Sequence, residues 1–272
     1  MTHVDLTAPM VSDAPAVARK WVVIGGRLLL VVLLLLGWEL GARSLGILFF
    51  APPLEVAARI VKLAQSGTLV ADVVATLRVS ALGFAIACFA GVLLPFVFHR
   101  SPRLTAAVEP YIMASMGIPK YALAPWLILW FGIGDLPKLV VVTLMVFYII
   151  FITTSAGVRA VDRRLIDMAR VAGAGDAVIA REIIWKSLLP FFFTGLKVAL
   201  PRAVSATIVG EFLVATEGVG HYIEHSRQVS DTVGVFAGIV IAMVLVLSIN
   251  AVVNIIERRA LAWRPVEREM EL

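Results

Sequence analysis

The sequence predicts an all-α membrane protein with about six transmembrane helices, and three observations carry that expectation. Hydrophobic residues make up 60% of the 272-residue chain and charged residues only 16%, with a mean hydropathy of +0.95. A soluble domain of this length needs more charge to cover its surface. Segments 79–98, 139–158 and 232–256 contain no charged residue, and each has the ~20 residues that cross a hydrocarbon layer of roughly 30 Å as a helix. Lysine and arginine are distributed asymmetrically between alternate loops. With a cytoplasmic N-terminus the inner segments hold fifteen and the outer segments six, leaving Lys120, Lys197 and Arg202 in the membrane, which accounts for all 24. The positive-inside bias then puts both termini in the cytoplasm, and this requires an even number of spans. The formal charge of +5 follows from these loops, so nucleic acid is not an expected partner.

In chain order, residues 1–20 read as a cytoplasmic tail and 21–265 as the transmembrane domain, with residues 266–272 a second short tail. Arg19, Lys20 and Arg27 precede the apolar run Leu28–Gly37 as in a secretory signal, but Trp38 and Glu39 follow in place of a small-residue cleavage site. The first span, 21–42, is therefore expected to stay uncleaved. Residues 53–66 place Leu54, Ala57, Ala58, Val61 and Ala64 on one face of an amphipathic helix at the outer surface. In the second span, Gly83, Ala87 and Gly91 recur every four residues as a face for close helix packing. Cys88, the only cysteine, reads as a packing residue.

The third span, 107–131, carries Glu109, Lys120, Pro110, Pro119 and Pro125, and the fifth, 189–214, carries Lys197, Arg202, Glu211, Pro190 and Pro201. Charges and helix breakers within the membrane are tolerated where they face protein or a water-lined cavity. Pro119, Lys120, Pro125, Lys197, Arg202 and Glu211 are accordingly the candidate pathway residues, and their positive excess suits an anionic solute. Among these charges a purely structural role is the competing reading. His221 and His225 lack a third ligand, so no metal is expected.

The loop 159–189 is the longest inner segment. Leu165, Ile166, Ala169 and Ala172 share one helical face, Gly173-Ala174-Gly175 breaks the helix, and Asp176 suits the N-cap of a second helix. The result is an arginine-fringed hairpin, which suits either a groove on a soluble partner or the membrane interface.

This segment resembles the EAA signature of permease subunits of binding-protein-dependent ABC importers. Asp167-Met168-Ala169 stands at the Glu-Ala-Ala position and Gly173 at its glycine. Ile183-Ile184-Trp185-Lys186 replaces the usual Ile-x-Leu-Pro, and Pro190 matches a further proline. Ile118-Pro119, Ala122–Pro125, Leu129–Gly134, Gly195-Leu196-Lys197, Gly218-Val219-Gly220 and Glu257–Pro265 resemble the nitrate/sulfonate/taurine branch. The resemblance covers roughly residues 20–265. It implies a type I ABC importer permease fold in the inner membrane, pairing with a second permease copy. It also implies two cytoplasmic ATPase subunits and an extracytoplasmic binding protein. Asp167, Met168, Ala169, Arg170, Gly173, Ala174, Gly175 and Arg181 would couple the chain to the ATPases. A sulfonate, taurine or nitrate is the implied solute class. The sequence has no G-x-x-x-x-G-K-[S/T] loop, so ATP hydrolysis is expected to belong to those partners and no cofactor to this chain. A stand-alone secondary carrier or channel is the alternative, against which the lack of an internal repeat counts.

Overall fold

The computed structural model describes residues 16–46, 49–99 and 101–260. Most of the N-terminal tail, the 266–272 tail and the Leu261–Pro265 part of the C-terminal motif lie outside the described residues. Among the described residues eleven α-helices follow in order, interrupted by two short helical turns. The long ones are α1 (Ala16–Leu45), α3 (Thr68–His99), α6 (Asp135–Arg159), α9 (Trp185–Val214) and α11 (Thr232–Ala260). Between them lie α2 (Pro53–Gln65), α4 (Pro102–Ser115), α5 (Ala124–Phe131), α7 (Arg163–Val171), α8 (Asp176–Val178) and α10 (Val219–Gln228).

Among the described residues five helices are long and apolar enough to span a membrane, and the pair Arg103–Ser115 and Lys120–Phe131, bent by 84°, makes a sixth if it counts as one span. Five of the six expected segments are single long helices, and the third differs from them. The third is not a straight helix: α4 ends before Gly117, a 3-10 turn covers Lys120–Leu123, and α5 leaves in a new direction. Proline at 119 has no N–H to continue the ladder and disfavours helical geometry at Ile118, so the break falls there.

Small residues decide how the spans approach. Built on Gly83, a Cβ would lie 2.7 Å from Val142 Cγ1, and on Gly91 2.9 Å from Ile150 Cγ2. Ala87 between them is fully buried in a cluster with Val142, Val146 and Ile150 of α6 and Ala199, Ala203 and Ala206 of α9. Cys88 packs at its edge. The four-residue small stripe thus does what its spacing predicted. Contact positions advance together along α3 and α6, which run parallel. Along α6 and α9 they run oppositely, since Gly157 meets Leu188 and Phe191, Gly195 meets Thr153, and Gly210 meets Lys138. Lipid tails offer no hydrophobic drive for helix association, so close backbone approach through small residues supplies it.

α1 stands apart over residues Val22–Leu35, which are exposed, as a lipid-facing helix can be. Its far end is pinned where Trp38 Nε1 donates to Ala51 O at 2.8 Å and stacks near Phe50 and Phe236. α2 forms as expected, with the anticipated face of Leu54, Ala57, Ala58 and Val61 exposed. A second apolar stripe, Val56, Ile60 and Leu63, packs on the bundle. The ion pair of Arg59 with Asp231, just before α11, locks α2 in place.

Candidate functional site

The hairpin is built from local signals. The Asp162 carboxylate caps α7 by accepting the Arg164 N–H at 2.9 Å. At the other end Gly173 takes φ +82. There its N–H donates to Arg170 O and the Ala174 N–H to Ala169 O, both at 2.9 Å, the paired closure of a helix that ends on a left-handed glycine. The second arm differs from expectation. Gly175, not Asp176, occupies the N-cap, and Asp176 makes no side-chain cap. Its nearest ion partner is Arg170 at 3.8 Å, with Asp176 93% exposed, a pair of little energetic weight. Beyond it α8, a π-helical turn (Ile179–Ile184) and α9 follow without interruption, so the arm is the stem of the fifth span.

Ile166, Ala169 and Ala174 pack on Val158, Val161, Ile179, Ile184 and Leu188, which fixes the hairpin against the spans. Leu165 and Ala172, expected on that packed face, are exposed instead. They join Met168 and Val171, which is 90% exposed, so α7 presents an apolar outer face. Asp167, Arg163, Arg164, Arg170 and Arg181 are exposed around it. Beside it, a groove of about 800 Å³ runs from Leu165 and Met168 along Ile183, Lys186 and Pro190 to Thr194.

The pathway candidates do not converge on one cavity. Lys120 sits at the bend in the third span, where its ammonium donates to Ser115 O at 3.2 Å and to Met116 O and lies 4.6 Å from the Tyr148 ring centre. Tyr148 in turn shares a 2.9 Å hydrogen bond with Ser115. Lys120 thus caps the carbonyls freed at the end of α4, where a positive charge also suits the helix dipole. Pro119 precedes the 3-10 turn and Pro125 lies in the first turn of α5. Lys197 pairs with Glu257 of α11 at 2.5 Å. Glu109, from the same sequence reading, pairs with Arg159, and Glu39 with Arg43. Glu211 is buried among Thr76 and Gly220. Only Arg202 is exposed without a hydrogen bond or ion pair to a described residue, with the Tyr121 ring in its electrostatic field.

At the opposite end from the hairpin the structure gathers groups the sequence reading had not singled out. Lys138, assigned to an outer loop, is 3% exposed in the first turn of α6 and pairs with Asp135 at 2.7 Å. Arg78 reaches Asp135 at 2.6 Å and Glu217 at 2.8 Å. Asp72 and Thr76 hold the start of α10. Their polar four-residue spacing on a largely apolar helix was a readable signal. On the surface of α10, hydrogen bonds from Arg227 and Gln228 hold the Glu224 carboxyl down to about 2.

The sequence pattern described as "Binding-protein-dependent transport system inner membrane component" matches residues 83–261. The chain belongs to this family. It is a membrane-spanning permease of an ABC importer, and the secondary-carrier alternative is not favoured. The permease is 33% identical to the formylaminopyrimidine transport permease ThiX of Halalkalibacterium halodurans, over 86% of this chain and 93% of that one. To the riboflavin transport system permease RibX of Chloroflexus aurantiacus it is 31% identical, over 94% and 98%. With the putative aliphatic sulfonates transport permease SsuC of Bacillus subtilis it shares 30% identity over 78% and 77%. In fold the permease resembles a chain of the MetNI methionine ABC transporter, with a TM-score of 0.56 at 21% identity, covering 68% of this chain and 91% of that one. The type I importer fold is thereby shown.

Proposed function

We propose that this permease pairs with a second copy of itself in the inner membrane, both termini cytoplasmic, and takes its driving force from two separate ATPase subunits docked on the α7–α8 hairpin. The observation that carries this reading is the hairpin itself. Its inner face is anchored on the spans, while Leu165, Met168 and Val171 lie uncovered amid exposed arginines that suit a groove on a soluble partner. Because α8, the π turn and α9 are continuous, a force on the hairpin reaches Arg202 without crossing a flexible loop. ATP binding closes the motor subunits, draws the hairpins together and rearranges a pathway walled by the bent third span and α9. The hairpin transmits force only if its contacts differ between the two states. Pro119 and Pro125 shape the bend, and the α10 end receives solute from an extracytoplasmic binding protein. Nucleotide chemistry is left to the partner.

Met168→Cys in a Cys88→Ala background tests the placement. A membrane-impermeant maleimide is expected to label Met168→Cys in inverted vesicles only, with protection once the ATPase is bound. Labelling from the external side overturns the reading.

For the solute, a small anion of the sulfonate, taurine or nitrate type is our primary reading. Of the three intramembrane cations, Lys197 is paired with Glu257 and the Lys120 ammonium is held by two backbone carbonyls, so Arg202 is the one free to meet a moving anion. Arg202→Gln is expected to lower anion uptake about tenfold, the scale of one lost charge-assisted hydrogen bond. Wild-type uptake across several anions by that variant sinks the anion reading. An aromatic heterocycle is then the second reading, favoured by the similarity to ThiX and RibX.

A further inference from the structure

α10 starts on Gly218-Val219-Gly220, and three successive N–H groups there are taken by side chains from two other helices. The Gly218 N–H donates to Asp72 Oδ1 at 3.1 Å, Val219 to Thr76 Oγ1 at 2.9 Å, and Gly220 to Glu211 Oε2 at 2.8 Å. The Thr76 hydroxyl lies 2.9 and 3.0 Å from the two Glu211 oxygens and donates to that carboxylate. Thr76 is 0% and Glu211 1% exposed, and no ion pair reaches Glu211 among the described residues. A buried carboxylate with no cation in direct contact is costly, and Lys138 acts on Glu211 only from a distance. Here the hydroxyl, one N–H and the positive end of a helix replace water.

The glycines are shaped to this cradle. Gly218 has φ +112, and a Cβ there would lie 2.3 Å from Glu211 Oε1; one on Gly220 would lie 2.3 Å from Ile208 O. Over the cradle, exposed Glu217 is strapped by Arg78, which also holds Asp135. The turn between α9 and α10 is therefore bound to α3 at two levels and to α9 through Glu211. The bonds of the buried Thr76 and Glu211 cannot be exchanged for bonds to water. α10 cannot shift without moving α9 or breaking them.

We propose that the start of α10 is the transmission element by which the docked binding protein acts on α9, with Thr76 and Glu211 as its positioning residues. The proposal rests on the proposed function, which places the binding protein at the α10 end. It adds a route from the outer surface to the same helix that the hairpin drives from the inner one.

The test uses the complete importer in proteoliposomes, measuring basal and binding-protein-stimulated ATP hydrolysis. Thr76→Val keeps the shape and removes the hydroxyl. It is expected to leave basal hydrolysis intact and lower stimulation about tenfold, the scale of one hydrogen bond to a buried charge. Thr76→Ser is expected to restore stimulation. Should Thr76→Val fail to accumulate, Glu217→Gln releases the exposed strap alone and is expected to lower stimulation several-fold. The proposal is overturned by wild-type stimulation in the assayed variant. It is equally overturned if basal and stimulated rates fall in proportion in both Val and Ser variants. A wild-type complex that the binding protein does not stimulate overturns the proposed docking at the α10 end, and the proposal with it.

Discussion

Gly173→Asp is expected to reach the membrane at normal levels and to lose at least about tenfold in ATP-driven uptake. Two effects combine at this position. The residue sits at φ +82, where most L side chains cost roughly 1–2 kcal/mol and aspartate less, and that conformation closes α7 through the paired bonds to Ala169 and Arg170. A Cβ there meets nothing within 4 Å, so the new carboxylate is not excluded by packing. It projects at the vertex of the hairpin, beside an apolar docking face, where desolvating it on contact with the ATPase costs more than the strain. The transmembrane packing lies elsewhere, and the variant is expected to fold. Gly173→Asn isolates the charge, because asparagine and aspartate tolerate the left-handed region alike and only aspartate is ionised. It is expected to retain most uptake. Uptake and ATPase stimulation both at wild-type levels in Gly173→Asp would remove the coupling role.

Gly91→Leu is expected to abolish a monodisperse, folded permease in detergent. The Cβ alone would approach Ile150 Cγ2 to 2.9 Å and the Phe151 backbone N to 3.1 Å. Ile150 and Phe151 are among the most buried side chains, so neither can yield into open space. Overpacking of this kind costs about 1–3 kcal/mol or more, and backbone against backbone leaves little relaxation. The comparison is Gly37→Leu on exposed α1, where a Cβ meets nothing within 4 Å; its size-exclusion profile and melting temperature are expected to be unchanged. If both variants behave alike, the tight packing of α3 on α6 is not what holds the bundle.

Much of this architecture was legible because the lipid demands long apolar helices and because glycine and capping residues act locally. The spans, the small-residue face of the second span and the glycine break at residue 173 all belong to that class. The third span shows where such reading stops. Its prolines announced a break, but the 84° angle is held by Lys120, Ser115 and Tyr148, and Tyr148 belongs to another helix. Lys197 read as a pathway charge because Glu257, its partner, lies far along the chain. Glu211 read likewise, since nothing local shows that Thr76 and the start of α10 close around it. The second arm of the hairpin was expected as a separate helix, whereas a π turn carries it into α9.

The sequence by itself determined the membrane setting, the long apolar segments, the family and the position of the glycine turn at residue 173. These follow from composition, from spacings of a few residues and from backbone preferences that need no distant partner. Tertiary structure alone decided which intramembrane charges are free. A charge in a low-dielectric interior is defined by its neighbours in space, and those neighbours come from helices that only packing brings together.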